Sequence, residues 1–559
     1  MKTNRKLSIA AIAMSAVLVA ALAGCSGGGN AKETASAGPE SSQPASASGQ
    51  SPSANKTVQV TYHRGGTADT SPDPKNETNK YILQTFKDQF GVDLKYEAYD
   101  FGQNFMQRLN QFAASKKMPS GIWIFGRNPE TTRVLNDMGR AGMFWDLTEY
   151  VNNSNTMKEN AEDVFLKMNA NPDDGKLYVF PAERHRSFPH APGGIAIRKD
   201  WVEQSGLGFP QSEDDLYNLI KYIHENIKSD AGKPVIPVAL NTLENGQGPN
   251  SYAWFNHWMG TQEWKEFGDR YEKNRYSDME GLKSAILFLN RLWNEGLMDK
   301  ESFTIKNDQF IQRASNGSIG VAPYTFALYS ANDSLDKQYP NSDKYWVSVP
   351  PFAAGSSITA DDVNSFELIS QAFSDIVITK DVPEEDLQQI IAMIDWIGSY
   401  EGSLLTLFGI EGTDWKRDAD NKVAKTEAYA QHESNNINYQ AQAGLATYSA
   451  LNPNPQALQD LLNAIVTRKA ELESVANIKG HQRGLSRAID IVEPGPAELK
   501  SMGDIEKAWQ SMVIDAVKAS SPDKAAAIVD KWPQDRDKMG YQAILDERNA
   551  AAKAIEAAM

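Results

Sequence analysis

Arg184, His185 and Arg186 stand side by side in the stretch from Asp174 to Trp201, which also holds Pro181, Pro189 and Pro192. Prolines so placed forbid a continuous helix or a central strand. The three basic side chains therefore fall on a loop between two short predicted strands, Leu177–Phe180 and Gly194–Arg198. Such groups are too polar to bury unpaired; they decorate a solvated turn or meet an anion. Two further arginines follow strand-like runs: Arg64 comes after Val58–Tyr62 and Arg127 after Gly121–Phe125. An arginine fork pairs with a carboxylate or phosphate through two parallel hydrogen bonds. Each arginine alone reads as a surface charge. Their recurrence at equivalent places predicts an anionic ligand, such as a uronate-bearing oligosaccharide.

A second group is aromatic. In SYAWFNHWMG, Ser251 to Gly260, Trp254 and Trp258 are four apart. On a helix they share one face, with Asn256 and His257 directed elsewhere. Two readings stay open: a core-facing stripe, or a platform on which sugar rings stack while polar side chains bind hydroxyls, with Trp254, His257 and Trp258 the ligand-binding candidates.

The elements around these residues alternate. Strands at Val58–Tyr62, Val92–Glu97 and Gly121–Phe125 are separated by helical patterns at Asn79–Phe90 and Gln103–Ala114, which predicts a mainly parallel sheet wrapped by helices. Ligands of such sheets gather at the carboxyl ends of the strands, where the arginines lie. Further on, helices are expected at Glu213–Ile227 (capped by Ser212), Gly281–Glu295 and Glu384–Tyr400, and strands at Val235–Leu240, Trp346–Val349 and Phe373–Thr379. The end of the chain, from about Pro455, is mainly helical. At 559 residues the chain exceeds one core, and two large lobes or more are expected.

A net charge of −16 argues against general nucleic-acid binding. The seven histidines include no H-E-x-x-H and no zinc-spaced pair beside a third ligand, and neither a G-x-S-x-G elbow nor a Walker A loop occurs. Catalysis is therefore not expected, although acidic residues are too plentiful to exclude a two-carboxylate glycosidase. Lys2, Arg5 and Lys6 precede an apolar run, Leu7 to Ala23, that ends at the chain's one cysteine, Cys25. This order is that of an export signal; the rival reading, a transmembrane anchor, sits at the short limit of length. Ser26 to Lys56, rich in Gly, Ser, Ala and Pro, reads as a flexible tether.

Several motifs carry a family resemblance. Leu22-Ala23-Gly24-Cys25 resembles the bacterial lipobox. D-G-K-x-Y-x-x-P at Asp174–Pro181, R-K-D-W at Arg198–Trp201, Ala322-Pro323-Tyr324-Thr325 and the G-I-E-G-T-D-W run ending at Trp415 resemble motifs of extracellular solute-binding protein family 1, the large oligosaccharide-binding type of ABC importers. The resemblance implies an α/β, periplasmic-binding-protein-like fold of type II, with two lobes, a hinge and an interlobe cleft. It implies a signal peptide at 1–24, a tether at 25–56, a first lobe of 57–187 plus about 358–450, and a second of 188–357 plus about 451–559. Chain crossings fall near 187, 358 and 450. By the same resemblance Cys25 is lipidated, Tyr324 stacks on ligand, and Trp415 touches ligand or pins its turn. A monomer with no cofactor is implied, held at the outer face of the cytoplasmic membrane, delivering a sugar or oligosaccharide to a two-subunit permease driven by an ATPase. The Ca²⁺ loop of acidic-sugar relatives is not expected, because Lys228–Lys233 lacks the oxygen ligands calcium needs. The alternative is a surface-anchored carbohydrate-active enzyme or adhesin-like lipoprotein.

Overall fold

The computed structural model of the chain describes residues 57–558 outside 66–70, 100–104, 116–117, 126–128, 161–169, 172, 183–193, 241–251, 261–262, 325, 341, 357, 364–366, 369–373, 436–438, 446, 449–450, 453, 466–468, 479–482, 485–486 and 493. The described residues all belong to one compact unit, Pro52–Met559.

Fourteen strands are present among them: β1 (Val58–Gly65), β2 (Val92–Tyr99), β3 (Gly121–Phe125), β4 (Phe180–Ala182), β5 (Ile195–Arg198), β6 (Trp264–Phe267), β7 (Arg270–Lys273), β8 (Val321–Pro323), β9 (Trp346–Ser348), β10 (Glu367–Leu368), β11 (Ser374–Ile378), β12 (Trp415–Arg417), β13 (Val423–Lys425) and β14 (Arg483–Gly484). The first sheet has the order β2-β1-β3-β11-β4. Alternation in β1 buries Val58 and Val60. The helix that follows, Glu77–Phe90, starts where the Asn76 side chain accepts the Asn79 amide and stops at Gly91, whose φ of 67° suits glycine. Its apolar stripe, Ile82 and Phe86, faces a core shared with Val92, Leu94, Ile376, Ile394 and Tyr448. β1 pairs in parallel with β2 and β3, as the βα alternation predicts. Not foreseen was β11, which inserts antiparallel between β3 and β4.

The second sheet, β8-β5-β9, is antiparallel throughout, with β5 in the centre. Its main core is a separate cluster that includes Ile197, Ile220, Trp254, Trp258, Leu289, Trp509, Trp532 and Leu545. The strand expected at Val235–Leu240 does not form: Val238 makes only single bridges, to Met298 and Val321. Pro234 and Pro237 explain this, since neither can donate to a ladder. Ser212 does cap its helix, accepting the Asp215 amide at 3.1 Å. The helix expected at Glu384–Tyr400 forms from Glu384 and ends at Ile397, and a second helix, Tyr400–Phe408, follows it. The break comes at Gly398, and Ser399 starts the second helix by accepting the Gly402 amide at 3.0 Å.

The closing helices Pro496–Val517, Pro522–Lys538 and Tyr541–Ala558 pack into the second core. Asn290 ties them in by donating to the carbonyls of Ala516, Val517 and Ala519 at the end of the first of these helices. The helix Pro455–Ile465 packs instead with Leu404, Phe408 and Trp415, whereas Ala470 of the next helix, Lys469–Ile478, packs with Tyr345 and Val347 beside the second sheet. β10 and β14, from distant parts of the chain, form a two-stranded parallel pair.

Candidate functional site

β1, β3 and β4 run in parallel, so the chain leaves all three at one end of the first sheet. The register makes this concrete: Phe125 and Ala182, the last residues of β3 and β4, both lie opposite Ser374 at the start of β11. Arg64, one residue from the end of β1, lies opposite Trp123. Arg127, Arg184, His185 and Arg186 lie outside the described residues. The strands leading into them, β3 and β4, end at the same edge of the sheet on either side of β11, and carboxyl ends of strands are where open α/β sheets bind ligands.

At the second sheet the antiparallel register brings the start of β5 beside the ends of β8 and β9. Gly194, in the left-handed region at φ 72°, accepts the amide of Tyr324 at 2.9 Å, and Ile195 accepts that of Val349 at 2.9 Å. Tyr324 is buried in a cluster with Phe310, Leu328 and Trp346. His257, on the helix Tyr252–Met259, comes to the same place. Its Nδ1 lies 3.0 Å from the Phe352 carbonyl, and its ring packs 4.4 Å from that of Phe352. Burial pushes its pKa down to about 4. Gly194 and Phe352 were not singled out in the sequence; the Gly193-Gly194 pair ahead of β5 and Pro350-Pro351 ahead of Phe352 are the local signals that mark them.

Trp254 and Trp258 are fully buried and stack on one another with centroids 6.4 Å apart, with Phe288 against both. Trp258 Nε1 also donates to Glu213 at 2.8 Å. The pair is a core stripe, and the platform reading is corrected: neither indole has an open face for a sugar ring. Trp415 is buried as well. Its Nε1 donates to the Gly409 carbonyl at 3.0 Å, and the adjacent Asp414 accepts the Ile410 amide at 2.8 Å and the Thr78 hydroxyl at 2.9 Å. These bonds make the G-I-E-G-T-D-W run a fastened turn.

The R-K-D-W run is a lock between β5 and the next helix. Arg198 is buried, donates to Asp200 at 3.0 and 2.9 Å, and lies 4.8 Å over the Trp201 ring. Burial pushes the Asp200 carboxyl up, the arginine partly countering it. Among the described residues no group of three or more His, Cys, Asp or Glu could hold a metal ion, and no helix is long and apolar enough to cross a membrane. Cys25 lies outside the described residues.

No protein-family model matches the chain. The sequence is 22% identical to lipoprotein LipO of Bacillus subtilis over 321 residues, which cover 56% of this chain and 60% of LipO. It is 23% identical to the polygalacturonan/rhamnogalacturonan-binding protein YtcQ of B. subtilis over 438 residues, 76% of this chain and 77% of YtcQ. The structure of an EF-hand mutant of the ABC-transporter substrate-binding protein FusA from Streptococcus pneumoniae, in complex with fructo-nystose, superposes with a TM-score of 0.61 at 17% identity, covering 90% of this chain and 100% of that one. The two sheets and their order along the chain thus belong to a mixed α/β solute-binding-protein fold. The chain shares the fold of solute-binding proteins such as FusA and is similar in sequence, at 22–23% identity, to LipO and YtcQ.

Proposed function

We propose that the chain captures a sugar or oligosaccharide in a cleft between the edge where β1, β3 and β4 end and the edge where β5 begins, and hands it unchanged to a membrane permease. The observation that carries this reading is the convergence of the three parallel strand ends, each with an arginine at or just beyond it. Arginine forks suit carboxylates, so the favoured ligand is an acidic, uronate-bearing oligosaccharide. The likeness to YtcQ, a polygalacturonan/rhamnogalacturonan-binding protein, supports that choice. A neutral oligosaccharide is the second reading, favoured by the likeness to FusA, which by name binds fructooligosaccharides.

The two sheets, each with its own core, form two lobes that close on ligand, so that binding biases a two-state equilibrium. That the helices Pro455–Ile465 and Lys469–Ile478 pack in different clusters supports a chain crossing in this part of the sequence, near the expected 450. Cys25 carries the lipid, and the stretch behind it tethers the lobes outside the membrane, in keeping with the likeness to a lipoprotein.

Isothermal titration with trigalacturonate and with kestose tests the reading. Saturable binding of either, with the sugar recovered intact, supports it. Cleavage of the sugar, or no binding of these and of longer pectic and fructan fragments, removes it.

A further inference from the structure

We draw no further inference here: the strongest candidate, the buried Arg198 guanidinium at the end of β5, whose Nη1 has no hydrogen-bond partner, belongs to the lock with Asp200 and Trp201 already described, and nothing in the structure points to a ligand beside it.

Discussion

The hydroxyl of Ser474 accepts the backbone amide of Ser348 at 3.1 Å while donating to the carbonyl of Ala470 at 2.6 Å. Ser348 ends β9, an edge strand of the second sheet, and Asn477 on the same helix donates to its carbonyl at 2.8 Å. A helix thus takes the place of a further strand, which both satisfies the edge and covers it. Ser474→Ala should remove this bond to the Ser348 amide, at a cost of about 0.5–1.5 kcal/mol. Urea denaturation should show a lower midpoint with an unchanged slope; an unchanged midpoint would mean the bond contributes nothing.

Stability should depend on pH through His257. Its pKa is about 4 in the fold, against about 6.5 in an unfolded chain. Between those values the unfolded chain holds a proton that the folded chain refuses, so stability falls as pH falls from about 6.5 to about 4, by about 3 kcal/mol in all. The Asp200 and Glu213 carboxyls, pushed up by burial, also take up protons as pH falls. The difference between wild type and His257→Asn isolates the histidine. It should change across that window and be flat above pH 7.

Trp258 serves the core. Trp258→Phe removes the donor to Glu213, whose carboxyl burial already pushes up. The loss should be about 1.5–3 kcal/mol, the range for a hydrogen bond to a charged group, with sugar affinity unchanged within about twofold. A large loss of affinity at unchanged stability would return the indole to the binding surface.

If the strand-end arginines read carboxylates, Arg127→Ala and Arg184→Ala should weaken trigalacturonate more than kestose. A lost charge-assisted bond costs about 1.5–3 kcal/mol, or about tenfold to a hundredfold in affinity. Equal losses for the two sugars in calorimetry would favour the neutral-oligosaccharide reading.

Cys25→Ala should release the protein from cells into the medium, since a tether without its acyl chains has no hold on the bilayer. Fractionation with an antibody to the folded part measures this. Retention in the membrane fraction would point to the apolar run Leu7–Ala23 as the anchor.

Local chemistry made some elements legible in the residues alone. Gly121–Phe125 is a strand at the expected bounds, and the helix at Glu213 starts at the expected cap, because a short run of β-branched and aromatic residues and a serine before three acids are local signals. The arginines could be assigned to strand ends for the same reason. The Trp254–Trp258 spacing established a shared face, but a period of four does not say whether that face meets a core or a ligand. Only the packing of Phe288 against both rings decided it. Likewise His257 could be placed on a helix from its neighbours, while its tautomer depends on Phe352, 95 positions away in the chain. The insertion of β11 between β3 and β4 is of the same kind, since a strand's pattern records which face is buried and leaves its partners to long-range register. Sequence determined what each segment could become, through spacing and backbone chemistry; tertiary structure decided what each side chain meets, because contact partners are chosen by the fold as a whole.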